Sequence, residues 1–186
     1  EPSGVDPFTF FSESGTDANA MTSYDSTQYI CCGTKRFKEN LEYILKFVNT
    51  PYFTDEDVEK EKGIISEEIK MYDDDPGFQL YLNAMDCLYH KNAVKLDIAG
   101  TIESISKIDP DVLYKCYNTF YHPSNMTLVV CGDFKPEELL EEIKKRLLPK
   151  ENQGDIKRIY ENEEETINMP RKEVNMLTYS SRHNCR

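Results

Sequence analysis

The sequence predicts an α+β fold in which an antiparallel sheet carries helices packed on one side. Three observations lead to this prediction. Residues 18–32 alternate in the manner of a hairpin, several later segments repeat apolar residues at helical spacing, and residues 125–131 are rich in branched side chains. After one short helix, the predicted order is two strands, four helices, a strand and a final helix.

The N-terminal part is predicted to form the short helix and then the hairpin. The helix has an acidic cap and a proline at Asp6-Pro7, and it ends at Gly15. Ala18–Tyr24 alternates between two faces, and Asp25-Ser26 then turns the chain into a second extended run, Thr27–Cys32.

The longer helices follow from apolar spacing and from the residues that interrupt it. They are predicted over approximately 41–48, 55–72, 78–89, 112–120 and 136–147. Asn125–Cys131 is predicted to be a strand that ends at Gly132-Asp133. We therefore expect a partial domain over residues 1–150, followed over 151–186 by an acidic linker and the beginning of a further segment with a strand near Lys172–Thr178. The chain is expected to be truncated at both ends.

Composition excludes two classes of partner. The 186 residues include 22 Lys and Arg against 34 Asp and Glu, which gives a net charge of −12. Binding to nucleic acid depends on cationic side chains that displace counterions, so neither nucleic acid nor an anionic membrane is expected as a partner. No stretch approaches the ~20 apolar residues that span a bilayer.

The six cysteines do not form a spaced disulfide framework. Cys31 and Cys32 are adjacent, and Cys87, Cys116 and Cys131 lie inside predicted helices or strands. Buried free thiols are therefore expected, which favours a reducing compartment and a cytoplasmic location.

The helix at 55–72 places two carboxylates on its predicted buried face. At about 100° per residue, one arc of this helix contains the apolar side chains Val58, Ile64, Ile65, Ile69, Met71 and Tyr72. Glu61 and Glu68 project inside the same arc, about 20° apart. Burying a carboxylate costs several kcal/mol unless a cation or hydrogen bonds compensate it.

Two interpretations of these carboxylates stay open at this point. Their Cα atoms are about 10 Å apart along the helix axis, too far for a shared ligand pair. One could bind a metal directly while the other orients the groups around it. Alternatively, each pairs with a basic side chain, or the arc borders a groove open to water.

Other metal motifs are weak. Cys87 and His90 form one C-x-x-H half-site, but no second half-site has matching spacing, and His90 is better explained as a helix cap. His122 and His183 have no evident partner in the sequence.

Several segments resemble landmarks of the M16 family of zinc metallopeptidases, which includes insulinase, pitrilysin and mitochondrial processing peptidase. They occur in the family's order and are GTDANAMTSY at 15–24, EKEKGIISEEI at 59–69, DIAGT at 97–101, FYHPSNM at 120–126 and VVCGD at 129–133. The nearest similarity is to a bacterial subgroup that often occurs as paired paralogues. The resemblance implies an M16/LuxS-like metallohydrolase half-domain.

The resemblance also implies residue roles. Glu68 matches the glutamate that completes the zinc site, and Glu61 matches the accompanying acidic residue that supports it. Asn19, Ala20 and Thr22 match the edge strand on which peptide substrates lie, where main-chain pairing gives affinity without requiring one particular side chain. The expected partners are a peptide or unfolded polypeptide substrate and a homologous second half or paralogous subunit.

One essential part of the family pattern is absent. The inverted motif H-x-x-E-H, which supplies two histidine ligands and the general base, occurs nowhere in the chain. Only 67 residues precede Glu68, whereas the family's spacing requires about 75. We therefore expect a fragment of a zinc-dependent metalloendopeptidase that neither binds zinc stably nor hydrolyses peptides by itself. The alternative is a non-catalytic M16-like subunit that acts in assembly or peptide binding.

Overall fold

The computed structural model describes residues 7–89, 91–147, 150 and 159. These residues form seven α-helices and one two-stranded antiparallel sheet, which confirms the α+β class. In chain order, the elements are α1 (Pro7–Glu13), β1 (Asp17–Thr22), β2 (Thr27–Cys32), α2 (Phe37–Asn49), α3 (Asp55–Asp73), α4 (Pro76–Leu88), α5 (Ile102–Ser106), α6 (Pro110–Phe120) and α7 (Pro136–Arg146). Short 3₁₀ helices occupy Ala93–Lys95 and Pro123–Asn125.

The chain divides into two compact units. The first consists of Glu1–Thr54 and Asp109–Lys157, and the second of Asp55–Ile108 and Arg158–Arg186. The hairpin with α1, α2, α6 and α7 therefore belongs to the first unit, and α3, α4 and α5 belong to the second. The predicted linker at 151–186, including the strand near Lys172–Thr178, lies outside the described residues apart from Ile159.

The hairpin forms as the alternating pattern predicts. β1 and β2 pair in register from Asp17 opposite Cys32 to Thr22 opposite Thr27. Along β2, half-buried Tyr29 and Cys31 alternate with exposed Ile30 and Cys32, so one face is covered and the other is open. The covered face contacts α2, in agreement with helices on one side.

Capping residues explain where several helices begin. Asp75 precedes Pro76 and accepts hydrogen bonds from the amides of Gly77 and Phe78, which start α4. Asp109 likewise precedes a proline and accepts from the Val112 amide at the start of α6. These boundaries follow from local chemistry that is visible in the sequence.

A buried polar network joins α1 to α2 inside the first unit. Asn40 donates to the Thr16 hydroxyl (2.7 Å), and the Ser14 hydroxyl lies 2.8 Å from the same oxygen. All three side chains are buried, next to an apolar core that includes Phe11 and Leu41. Because each of these buried side chains has a hydrogen-bond partner, the bonds offset the cost of burying them and hold the segment leading into β1.

The predicted strand at Asn125–Cys131 is wrong for the described residues. Asn125 ends a 3₁₀ helix, and Met126–Cys131 pairs with no described strand. Met126 has extended dihedrals (φ −120°, ψ 146°), as the branched composition favours, while Val129 is 76% exposed. The composition therefore predicted an extended backbone, whereas a strand also requires a hydrogen-bonding neighbour.

The thiols that the structure describes are free, as expected, but most of them are not buried. The five described cysteines form no disulfide, and four of them are exposed: Cys32, Cys87, Cys116 and Cys131. Cys31 is half-buried, and this burial raises the pKa of its thiol. Among the described residues, no helix combines the length and apolar character needed to cross a bilayer.

Candidate functional site

The candidate substrate strand is an exposed strand with a pairing partner on one side. β1 pairs with β2 along its whole length, and no further strand joins this sheet within the described residues. Asn19, Ala20 and Thr22 are all exposed on β1. The strand thus has the geometry that main-chain pairing with an extended peptide requires.

Two local contacts bear on that strand. The Asn19 side-chain oxygen accepts a hydrogen bond from the Ala20 amide (2.8 Å), and this contact is exposed to solvent. Near the turn, the Thr22 and Thr27 hydroxyls lie 3.5 Å apart across the hairpin. An incoming backbone that uses the Ala20 amide must therefore displace the Asn19 carboxamide.

The candidate metal-binding helix differs from the prediction in its burial. α3 buries Val58 and Ile69, at 7% and 6% exposure, and Ile65 is half-buried. The rest of the predicted apolar arc is exposed, namely Ile64 (53%), Met71 (62%) and Tyr72 (37%). Within the second unit, α4 and α5 pack against α3, and they cover only part of the arc.

Glu61 and Glu68 are exposed, so the prediction that they lie on a buried face is wrong for the described structure. Two lysines of α3 pair with other carboxylates, Lys62 with Glu59 (2.5 Å) and Lys70 with Glu67 (2.7 Å). No described residue forms an ion pair with Glu61 or Glu68. Of the open interpretations, a groove open to water agrees with this exposure, and pairing with basic residues does not.

The residues that the structure describes do not fit a zinc ion. Zinc in a catalytic site takes three protein ligands drawn from His, Cys and carboxylates, plus water. Among the described residues, no group of three or more His, Cys, Asp and Glu side chains could hold a metal ion. Glu68 is thus a single carboxylate without the imidazoles that the M16 motif supplies.

No histidine among the described residues completes a metal site with Glu68. His122 is buried, and its Nδ1 lies 2.8 Å from the Ser124 hydroxyl and accepts from the Ser124 amide at the start of a 3₁₀ helix. His90 and His183 lie outside the described residues, so the expected capping role of His90 stays a prediction. Cys87, the other half of the C-x-x-H pair, is exposed.

An aromatic cluster behind the hairpin was not predicted from the sequence. The Tyr29 and Tyr121 hydroxyls lie 2.7 Å apart, although the residues are 92 positions apart in the chain. Burial, followed by the hydrogen bond with Tyr121, raises the pKa of Tyr29. One signal was available, because the alternation places Tyr29 on the face toward the helices. Its partner could not be identified without the fold.

Profiles of known families match most of the chain. The profile described as insulinase, peptidase family M16, matches residues 3–102, which is more than half of the chain. The profile described as the peptidase M16 inactive domain matches residues 107–179. Both matches follow the order of the landmarks found in the sequence.

Individual relatives agree with the profiles. The chain is 44% identical over 178 residues to YmfH of Bacillus subtilis, named as an uncharacterized zinc protease, and the match covers 95% of this chain and 42% of that protein. An M16-like peptidase from Alicyclobacillus acidocaldarius superposes with a TM-score of 0.74 at 41% identity, over 78% of this chain and 34% of that chain. The periplasmic protease PqqL from Escherichia coli superposes with a TM-score of 0.69 at 26% identity. That match covers 81% of this chain and 18% of PqqL.

These matches establish membership of a family, while the chain spans less than half the length of each of these relatives. The profile over residues 3–102 contains the candidate strand and the candidate helix, and identity to YmfH extends over nearly the whole chain. The chain belongs to the M16, or insulinase, family of peptidases.

Proposed function

We propose that this chain is part of a zinc-dependent M16 metalloendopeptidase and contributes the strand that receives the peptide. The observation that carries the proposal is the exposed strand β1, paired only with β2 among the described residues and containing Asn19, Ala20 and Thr22. An extended peptide that adds beside such a strand gains main-chain hydrogen bonds. Relatives named as zinc proteases supply the reaction class.

Each site residue has a proposed role. Asn19, Ala20 and Thr22 present backbone groups to the substrate, and Asn19 releases the Ala20 amide when the peptide arrives. Glu68 is the carboxylate that the whole protein would use as a zinc ligand, and Glu61, one helical repeat earlier, would orient the groups around it. The exposure of both carboxylates leaves them accessible to residues from outside the described chain.

The 186-residue chain by itself is proposed to be inactive. The whole protein would hydrolyse peptide bonds by metal-activated water, which requires two imidazole ligands and a general base. The chain contains no H-x-x-E-H motif to provide them. One carboxylate cannot replace this set, so we expect neither stable zinc binding nor peptidase activity.

The proposed partners follow from the same chemistry. The substrate is a peptide or an unfolded polypeptide, because an edge strand accepts extended backbone. The resemblance to the M16 family further implies a homologous second half or a paralogous subunit, which would enclose the substrate together with this chain. We also propose a cytoplasmic location, which the free thiols favour.

A non-catalytic M16-like subunit is the second candidate function. The absence of H-x-x-E-H from the chain favours it. The two candidates differ in the sequence of the parent reading frame upstream of Glu1. H-x-x-E-H at the family spacing would support the peptidase, and a diverged sequence there would support the subunit.

Peptide binding by the purified chain tests the proposed strand. The probe is a fluorescein-labelled octapeptide of alternating Val and Thr with a solubilising Lys pair, and its control is the same peptide N-methylated at alternate residues. We expect fluorescence anisotropy to detect binding of the first peptide and a large loss for the second, which cannot donate the pairing hydrogen bonds. Equal binding of both peptides would contradict main-chain pairing.

A peptidase assay tests the proposed inactivity. The same chain is incubated with a quenched fluorescent peptide in the presence of added Zn²⁺ or of a chelator. We expect the same background rate in both. Zinc-dependent hydrolysis that copurifies with the chain would refute the proposal that the chain lacks the zinc ligands and the general base.

A further inference from the structure

The strand behind the proposed substrate strand is anchored through a tyrosine. Tyr29 lies on β2 directly opposite Ala20 of β1. Its hydroxyl lies 2.7 Å from the Tyr121 hydroxyl, and Tyr121 directly follows α6. Its ring also meets Phe47 of α2 edge-on, with the ring centroids 5.9 Å apart. Tyr29 therefore links the hairpin to two helices of the same unit.

The partner of Tyr29 is itself held in place. The rings of Tyr121 and Tyr117 stack with centroids 4.8 Å apart, and the Tyr117 hydroxyl donates to the Val48 carbonyl of α2 (2.9 Å). The Lys150 ammonium donates to the Tyr121 carbonyl (2.7 Å) and to the Tyr117 hydroxyl (3.1 Å), and it lies 4.7 Å from the centre of the Tyr117 ring. The ring of Tyr121 consequently has little freedom to move away from Tyr29.

A two-stranded hairpin needs such an anchor. Isolated hairpins are marginally stable in water, because few side-chain contacts offset the entropy lost by the backbone. β1 contacts α1, and β2 contacts α2. The position of the exposed edge of β1 thus depends on how firmly β2 is held.

We propose that Tyr29 and Tyr121 are positioning residues that keep β1 ready to pair with an extended peptide. This inference rests on the proposed function of β1. Neither hydroxyl touches the peptide in this arrangement. Their contact limits the motion of β2 and so lowers the conformational entropy that peptide binding must remove.

The test compares Tyr29→Phe with the unmodified 186-residue chain. The substitution removes one oxygen and keeps the ring contact with Phe47, so the chain is expected to fold. The matched control is Tyr52→Phe, which alters an exposed tyrosine of the same unit. Two readouts are measured for each variant: hydrogen exchange of the β1 and β2 amides, and anisotropy with the Val-Thr octapeptide described above.

We expect Tyr29→Phe to raise hairpin amide exchange and the peptide dissociation constant about 5- to 10-fold, while exchange in α2 and α6 changes little. Tyr121→Phe is expected to have the same effect. Because the two hydroxyls act on each other, the double variant is expected to be no worse than either single variant.

The outcomes separate the two proposals. Unchanged exchange of the hairpin amides in Tyr29→Phe would overturn the positioning role even if the unmodified chain binds the peptide. A uniform rise in exchange across the hairpin, α2 and α6 would also overturn it, because the contact would then support the whole unit. Failure of the unmodified chain to bind the peptide would instead overturn the proposed function on which the positioning role depends.

Discussion

The two units of the chain differ in the range of the contacts that hold them. In the first unit, Tyr29 contacts Tyr121, Arg146 pairs with Glu42 (3.2 Å), and Phe37 stacks on Phe134, so segments far apart in sequence are joined. In the second unit, Lys62 and Lys70 of α3 form ion pairs with residues three positions away, and the longer contact from Lys62 to the Ser106 carbonyl (3.4 Å) spans 44 positions. Exposed pairs of this kind contribute little stability.

Exposed apolar side chains remain in both units. The first unit covers one face of its hairpin with α2, whereas α3 of the second unit leaves Ile64 and Met71 exposed beside Glu61 and Glu68. An amphipathic pattern states which side chains prefer burial, and the packed neighbours determine how many achieve it. Substitutions in both units can test that distinction.

The largest expected effect concerns the packed and open sides of α3. Ile69→Ala removes a side chain that is 6% exposed and should lower the free energy of unfolding by about 2–5 kcal/mol. Ile64→Ala, at a position that is 53% exposed, should change it by less than about 0.5 kcal/mol. Urea unfolding followed by circular dichroism measures both. Equal losses would show that the chain buries the whole arc.

Two glycines provide a comparison between the units. A Cβ at Gly33 would lie 2.5 Å from the Thr16 hydroxyl oxygen, inside the buried network, so Gly33→Ala should destabilise by about 1–3 kcal/mol. A Cβ at Gly63, within α3, meets nothing within 4 Å, so Gly63→Ala should stabilise by about 0.5–1 kcal/mol. Thermal and urea unfolding test the opposite signs. If Gly33→Ala instead stabilised the chain, Thr16 would have to move away from the new Cβ without loss of stability.

The Tyr29 hydroxyl should make stability depend on alkaline pH. In the unfolded chain, a tyrosine loses its proton near pH 10, whereas burial and Tyr121 raise the pKa of Tyr29 in the folded chain. Folding therefore favours the protonated phenol. Its contribution is complete below about pH 10 and is lost as the pH rises through the folded pKa.

Urea midpoints between about pH 9 and about pH 11 measure this dependence. We expect a shallower decline for Tyr29→Phe than for the unmodified chain, because the substituted residue has no proton to lose. Tyr52→Phe is the control for the loss of a tyrosine hydroxyl elsewhere in the same unit. Identical slopes for all three proteins would show that Tyr29 titrates alike in the folded and unfolded chains.

The smallest effect is expected at the two exposed carboxylates. Glu61→Gln and Glu68→Gln should each change the free energy of unfolding by less than about 0.5 kcal/mol, because neither side chain is buried or paired within the described residues. A buried carboxylate would instead give a clear gain in stability on neutralisation. Glu59→Gln is the control, since it removes the partner of Lys62.

Much of the fold could be predicted because the determinants are local. The alternation of Ala18–Tyr24, the turn at Asp25-Ser26 and the aspartate-proline pairs before α4 and α6 each act within a few residues. The strand predicted at Asn125–Cys131 was wrong because its composition is also only a local determinant. Its composition sets backbone conformation, but pairing requires a partner that no local pattern specifies.

The candidate site divides in the same way. The order of motifs in the sequence identified the M16 family and the residues of β1 and α3, and the family profile covers both. The roles of Asn19, Ala20, Thr22, Glu61 and Glu68 stay predictions. The exposure of the two carboxylates was not predictable, because helical periodicity describes only the helix itself.

The sequence by itself determined which segments become helices and hairpin, which family the chain resembles, and that H-x-x-E-H is absent from it. The helices and the hairpin depend on side chains within a few residues of each other, and the motifs and their order are read directly from the sequence. The tertiary structure alone decided which side of α3 is covered and that Tyr29 meets Tyr121 across 92 positions. Those outcomes depend on how distant elements pack, because burial and long-range hydrogen bonds are properties of two surfaces and not of one segment.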